Sequence, residues 1–177
     1  MSLLDTHRAL LERWRKAMNL VGPGPIDVHY EDAARALAPF DDFQGRWADL
    51  GTGAGFPGIV FTDRYPQVQL EMVDSRAKRC RFLDEVVAQA SWTRATVHCV
   101  RHETLDAGVY DGILSRALHA PDTMVQVAHR LVRPGGHLLL FLQDDAPVPT
   151  DDGMETVRVH RYTVDGKHRK SALLQRT

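Results

Sequence analysis

The residues best equipped for chemistry lie in one short stretch, Trp47-Ala48-Asp49-Leu50-Gly51-Thr52-Gly53-Ala54-Gly55-Phe56-Pro57-Gly58. An apolar run meets an acidic residue, and four glycines follow within positions 51–58. Ile59-Val60-Phe61 then resumes an apolar pattern. The order reads as a buried strand, a tight turn and a helix start. Glycine tolerates positive φ and lets a ligand approach the backbone closely. Free N–H groups at a helix start favour an anionic group, and Pro57 suits a first helical turn, where its missing N–H costs nothing. The spacing Gly51-x-Gly53-x-Gly55 departs from the dinucleotide pattern G-x-G-x-x-G, so the loop alone is either a ligand cradle or a plain βα turn. The next strand, Val68 to Asp74, weights the first reading. It delivers Asp74 about 20 residues beyond the glycines, where a carboxylate accepts hydrogen bonds from ribose hydroxyls.

Arg116 is the next candidate. The strand Tyr110-Asp111-Gly112-Ile113-Leu114 ends in Ser115-Arg116-Ala117, at the edge where open α/β sheets bind ligands. The guanidinium fork suits a carboxylate or phosphate; a structural ion pair to Asp111 or Asp122 is the alternative. Arg76, Lys78, Arg79 and Arg81 form the densest basic cluster, either a solvated helix face or a phosphate-contacting patch. Lys167-His168-Arg169-Lys170 forms a second basic patch. Cys80 and Cys99 lie far apart and read as free thiols, and the histidines have no metal-ligand spacing, so no metal is expected.

The elements that position these residues follow from periodicity. Leu3 to Val21 reads as an amphipathic helix capped by Asp5 or Thr6, with Leu10, Leu11, Trp14 and Met18 on its apolar stripe. Gly22-Pro23-Gly24-Pro25 breaks it, and a second helix spans about Asp27 to Leu37. Strands are expected near Arg46–Leu50, Val68–Asp74, Ala95–Val100, Tyr110–Leu114 and His137–Leu142, the last entered through an Arg133-Pro134-Gly135-Gly136 turn. Helices are expected up to Tyr65, after Ser75 (a candidate cap) and from about Pro121 to Leu131. Asp144 to Gly153 reads as a loop. Glu155–Thr163 and Ser171–Gln175 read as a hairpin around Asp165-Gly166. This alternation predicts an α/β protein with a mostly parallel, seven-stranded Rossmann-like sheet, helices on both faces and a C-terminal antiparallel hairpin. One domain over 1–177 is expected, with 1–40 as an N-terminal helical extension.

With 22 basic and 23 acidic residues the formal net charge is −1, so any RNA contact must use local patches rather than a global basic excess. No apolar run approaches the ~20 residues a membrane helix needs, and no signal-peptide core is seen. A cytoplasmic monomer is expected.

The segment Asp49-Leu50-Gly51-Thr52-Gly53-Ala54-Gly55-Phe56-Pro57-Gly58 resembles the signature of the glucose-inhibited division protein B family, class I methyltransferases that use S-adenosylmethionine to methylate guanine N7 in 16S ribosomal RNA. Trp14…Asn19-Leu20, His29-x-x-Asp32, the run Asp74-Ser75-x-x-Lys78-Arg79-x-x-Phe82-Leu83-x-Glu85-Val86, Arg101-x-Glu103 and Ser115-Arg116-Ala117 are similar to further family motifs. The resemblance implies cofactor contacts at Asp49, Gly51, Thr52, Gly53, Gly55, Phe56, Asp74, Ser75, His102, Glu103 and Arg116. His102 and Glu103 would flank the adenine, although Glu103 also reads as a helix N-terminal acid. It further implies Arg116 as the catalytic residue, Arg76, Lys78, Arg79 and Arg81 as RNA contacts, and ribosomal RNA or the 30S subunit as partner. Three departures stand out: Ala33 where the family has serine, Gln143-Asp144 where it has a lysine after the fifth strand, and no Pro-Arg element in the tail. A diverged methyltransferase of another RNA or small molecule, or a non-catalytic binder of S-adenosylmethionine or S-adenosylhomocysteine, is therefore the alternative. Phe56, Trp14 and Tyr30 are candidates for stacking a target base, with Trp14 the more suited to core packing.

Overall fold

The computed structural model describes residues 2–177. Helix α1, Leu3–Met18, starts at Ser2 rather than at Asp5 or Thr6. Ser2 Oγ accepts the Asp5 N–H while the Asp5 carboxylate reaches back to Ser2, a reciprocal cap. The helix stops before Val21 because Asn19 turns left-handed at φ 49°. Helix α2 spans Asp27–Leu37 as expected. Strand β1 (Gly45–Leu50), α3 (Gly58–Arg64), β2 (Val68–Val73), α4 (Ala77–Gln89), β3 (Ala95–His98), β4 (Tyr110–Arg116), α5 (Pro121–Leu131), β5 (Val132–Gln143), β6 (Met154–Val164) and β7 (Lys167–Arg176) complete the order. Ser75 does not cap α4, whose N-cap is Arg76 without a side-chain bond. The Arg133–Gly136 segment is part of β5, as a register shift between the pairs Tyr110↔Val132 and Gly112↔His137 rather than a turn before the strand.

The seven strands form one sheet in the order β3-β2-β1-β4-β5-β7-β6. The first five run parallel, and β7 pairs antiparallel with β5 and β6. The order reverses between β1 and β4, so the carboxyl ends of these two strands splay apart and leave the crevice where such sheets take ligands.

Side chains alternate across the sheet because successive residues of a strand face opposite ways. Trp47, Leu70, Leu114, Leu139 and Phe141 pack under α1 to α4, whereas Ala48, Leu50, Ile113, Leu138 and Leu140 pack under α5. On α1, Leu10 and Leu11 are buried but Trp14 is 37% exposed. The aromatic expected in the core sits at the edge of the buried stripe. Phe56 and Tyr30, proposed to stack a base, are instead buried and meet edge to face at 4.8 Å. No helix among the described residues is long and apolar enough to cross a membrane.

Candidate functional site

The glycine loop is pinned from below. Gly51 and Thr52 N–H groups both donate to the Val73 carbonyl, at 2.8 and 3.1 Å, so the loop rides on the end of β2. Asp49, 1% exposed, accepts the Thr52 hydroxyl at 2.7 Å and the Gly58 N–H at 2.9 Å, both through Oδ2. The other oxygen, Oδ1, is buried without a partner. Burial pushes this carboxyl up to about 6, with the Thr52 and Gly58 bonds and Arg116 opposing.

From above, the loop is held by a residue the sequence reading passed over. His7 of α1 is fully buried and bonds the Ala54 carbonyl through Nε2 at 2.6 Å and the Tyr30 hydroxyl through Nδ1 at 2.5 Å. A neutral ring satisfies both contacts, Nε2–H donating to the carbonyl and Nδ1 accepting from the hydroxyl. Burial lowers its pKa to about 4. Nothing local signals this role, since the partner lies 47 residues away.

These two groups pull stability in opposite directions with pH. The folded state binds the Asp49 proton more tightly than the unfolded chain does, so stability rises as pH falls through 6 and levels off near 4. The folded state refuses the His7 proton, so stability falls as pH drops below 6.5 and levels off near 4. Each contribution is roughly 3 kcal/mol, and they offset. Asp49→Asn removes one of them. Chemical denaturation at pH 7 and pH 4 should therefore show the variant losing about 3 kcal/mol more than the parent across that range; parallel losses would contradict the Asp49 assignment.

Beside the loop opens a cleft of about 470 Å³. Asp74 lies at its floor, 5% exposed. Its Oδ2 accepts the Gly53 N–H at 3.0 Å and Arg79 Nη1 at 3.1 Å, and Oδ1 accepts the Arg76 N–H at 2.9 Å. Gly51, Ser75, His102 and Glu103 also line the cleft. So do Leu118 and His119, which the sequence did not single out. His102 sits in a short 3₁₀ turn, His102–Thr104. Its Nε2 is 3.0 Å from His119 Nε2, its Nδ1 is buried without a partner, and burial lowers its pKa. Glu103 points outward, with 61% of its side chain exposed.

The remaining expected residues are elsewhere. Thr52, Gly55 and Phe56 belong to the buried part of the loop and do not line the cleft. Phe56 is 2% exposed, and the Arg116 guanidinium lies over its ring, 5.5 Å from the ring centre. Arg116 pairs with neither Asp111 nor Asp122. Its Nη1 lies 3.4 Å from Asp32 Oδ2 on α2, whereas Asp111, near the other end of β4, accepts from the Arg46 N–H and from Arg133. The basic cluster is divided: Arg76, Lys78 and Arg81 are exposed, while Arg79 is turned inward onto Asp74. After β5, where no lysine follows in the chain, Lys170 of β7 donates to the Asp144 carbonyl at 2.7 Å.

With this geometry in hand, the comparisons with known proteins are specific. The sequence profile of the family described as rRNA small subunit methyltransferase G matches residues 1–172. The ribosomal RNA small subunit methyltransferase G of Hydrogenovibrio crunogenus is 38% identical over 146 residues, covering 76% of this chain and 63% of that protein. The protein of the same name from Stenotrophomonas maltophilia K279a is 39% identical over 135 residues, covering 74% and 63%. The chain thus spans about 63% of the length of these curated relatives. Among solved structures, a SAM-dependent methyltransferase of Aquifex aeolicus superposes with a TM-score of 0.67 at 16% identity, over 92% of this chain and 97% of that one. TYW2 of P. horikoshii, solved with MeSAdo, gives 0.62 at 12% identity, over 88% and 63%. Such distant likenesses establish the Rossmann-like methyltransferase fold.

Proposed function

Because the chain belongs to the rRNA small subunit methyltransferase G (GidB) family, we propose that it transfers a methyl group from S-adenosylmethionine to N7 of a guanine in small-subunit (16S) ribosomal RNA. The observation that carries the donor side is the carboxylate of Asp74, joined to the Gly53 N–H at 3.0 Å on the floor of the cleft. A carboxylate built into a glycine loop is the arrangement that receives ribose hydroxyls. Two buried atoms without partners, Asp49 Oδ1 and His102 Nδ1, supply further polar capacity around it. The residues fit the cofactor. In this reading Gly51, Thr52, Gly53 and Gly55 present backbone to it, with Asp49 and Phe56 supporting them from below. Asp74 and Ser75 take the ribose, and His102 and Glu103 flank the adenine. Arg116 stands between donor and acceptor.

The bound sulfonium supplies an activated methyl group. The chain's task is then to align the acceptor and exclude water, which is worth roughly 7–11 kcal/mol in well-oriented systems. Guanine N7 is a lone-pair nucleophile with no proton to remove, so no side chain need act as a base. Arg116, at the end of β4 and held by Asp32, orients the acceptor as the catalytic residue. Arg76, Lys78 and Arg81 offer exposed charge to the RNA backbone, together with Arg79 when it leaves Asp74. The enzyme acts on ribosomal RNA or the 30S subunit as a cytoplasmic monomer, with 1–177 as one catalytic unit and 1–40 as its helical extension.

The test is transfer of labelled methyl from S-adenosylmethionine to 30S subunits lacking the mark, followed by nuclease digestion. N7-methylguanosine is the expected product. Binding of S-adenosylhomocysteine without transfer would replace the reading by a diverged acceptor or a non-catalytic binder.

Arg79 bears on the same site. Its guanidinium occupies a lone pair of Asp74 that a ribose hydroxyl would use. The pair is partly exposed on the arginine side, at 27%, and such pairs contribute about 0.2–1 kcal/mol. Calorimetry should therefore find Arg79→Ala binding S-adenosylhomocysteine more tightly than the parent, by up to about fivefold. Weaker binding would mean that Arg79 orients Asp74 instead of competing for it.

A further inference from the structure

A second cavity, of about 300 Å³, opens on the other side of the β4 end. Ala117 lines both cavities. The chain turns there through the left-handed region, φ 58°, so that Leu118 faces the first cavity and Arg116 the second. The second cavity is walled by His29 and Asp32 of α2, Arg116 of β4, and Lys167 and Arg169 of β7. Elements more than a hundred residues apart in the chain converge on it.

Its charge is unbalanced. Asp32 is the buried carboxylate, its side chain 9% exposed. It accepts the Tyr162 hydroxyl at 2.9 Å and lies 3.4 Å from Arg116 and 3.5 Å from Arg169 Nε. The Arg169 approach lacks hydrogen-bond geometry, and that Nε is buried with no hydrogen-bond partner. Asp32 therefore accepts from Arg116 but leaves the buried Arg169 Nε without an acceptor. Lys167 adds a cation at the rim and Asp165 an anion at the hairpin turn. His29 is held below the usual imidazole range by burial and by the two arginines, with Asp32 opposing, and adds no charge.

We propose that this cavity is a phosphate subsite, binding a phosphodiester of the acceptor strand next to the nucleotide that receives the methyl group. A buried donor without an acceptor is costly, and a phosphate oxygen supplies the acceptor. The planar fork of arginine matches phosphate geometry. The O6/N7 edge of guanine also offers acceptors to a guanidinium, but only an anion offsets the excess of Arg116, Lys167 and Arg169 over Asp32 and Asp165 as well. The shared wall at Ala117 puts this anchor beside the donor cleft, which is where a strand must be gripped to offer a base.

The inference rests on the reading of the acceptor as RNA, so the experiment uses a probe that needs no turnover. With protein saturated in S-adenosylhomocysteine, binding of guanosine 5′-monophosphate and of guanosine is compared by calorimetry or NMR titration. The monophosphate should bind at least about tenfold more tightly. Arg169→Gln should bring the two within about twofold, and the exposed Lys167→Gln should lower the preference about threefold. Affinity for S-adenosylhomocysteine and the melting temperature verify that each variant is folded. Equal binding of the two probes, no detectable monophosphate binding at millimolar concentration, or a preference that survives Arg169→Gln in folded protein would each overturn the subsite. Failure of methyl transfer to 30S subunits with the phosphate preference intact would sink the ribosomal reading and leave the subsite standing.

Discussion

Asp74→Ala should reduce affinity for S-adenosylhomocysteine by at least about a hundredfold, below detection in a calorimeter at ordinary protein concentration. Hydrogen bonds to a charged group contribute about 1.5–3 kcal/mol each, and two ribose hydroxyls would lose their acceptor. The carboxylate also fastens three pieces of backbone or side chain. It takes the Gly53 N–H, the Arg76 N–H and the Arg79 guanidinium, so its removal loosens the glycine loop and the start of α4 together. Asp74→Asn separates the two effects. It keeps one oxygen and the shape of the side chain, so the loop should stay in place while affinity still falls. Gly53→Val is a companion test, because φ at Gly53 is +61°, a region that a β-branched residue adopts only under strain. It should also abolish binding. Unchanged affinity in both Asp74→Ala and Gly53→Val, in protein with a normal melting transition, would remove the cofactor from this cleft.

What could be read in the chain beforehand was local. The glycine loop and Asp74 are separated by one short helix and one strand, and the spacing between them is set by backbone geometry. Helices α2 and α5 fell at the bounds expected for them, although neither N-terminus carries a side-chain cap, because the helical signal lies within the elements. Partners across the fold were not legible. Asp32 reaches Arg116 over 84 residues, and His7 reaches the glycine loop over 47. Periodicity gives a helix an apolar stripe but not the neighbour that covers it. Helix α1 packs on α3 and α4 through Leu10 and Leu11, leaving Trp14 at the margin. The basic cluster shows the same limit. Four cations in six residues read as one patch, but the first turn of α4 swings Arg79 inward while Arg76, Lys78 and Arg81 remain in solvent. Two cations lie beside the end of β5, because antiparallel pairing sets Leu142 opposite Lys170 and Gln143 opposite Arg169. A reading along the chain has no access to that juxtaposition.

Gly112→Val should destabilise the protein by about 4 kcal/mol or more, a change that overpacking in a core reaches only where the neighbour cannot move. In the sequence Gly112 is one small residue in an apolar strand. In the fold it sits opposite Trp47 in the β1–β4 pairing and beside His137 in the β4–β5 pairing. The indole lies across the gap that glycine leaves and stacks on the His137 ring at an interplanar angle of 5°. A Cβ at position 112 would come within 2.5 Å of two indole carbons. Trp47 has no room to yield: it is 1% exposed, its ring is 4.7 Å from Phe43 and 4.9 Å from Phe61, and its Nε1 donates to the Gln44 carbonyl at 3.0 Å. The variant must expel the indole, at a cost like the ~3–5 kcal/mol of truncating a buried tryptophan, or spread β1 from β4. For a domain of this size each kcal/mol lowers the melting temperature by about 2–4 °C, so a fall of roughly 8–16 °C is expected in calorimetry. The same strands end in the glycine loop and in Arg116, so spreading them would also weaken S-adenosylhomocysteine binding. Pairing the change with Trp47→Leu discriminates the mechanisms. A double variant more stable than Gly112→Val alone identifies the indole as the obstacle, whereas additive losses would show that glycine is needed at this position for another reason.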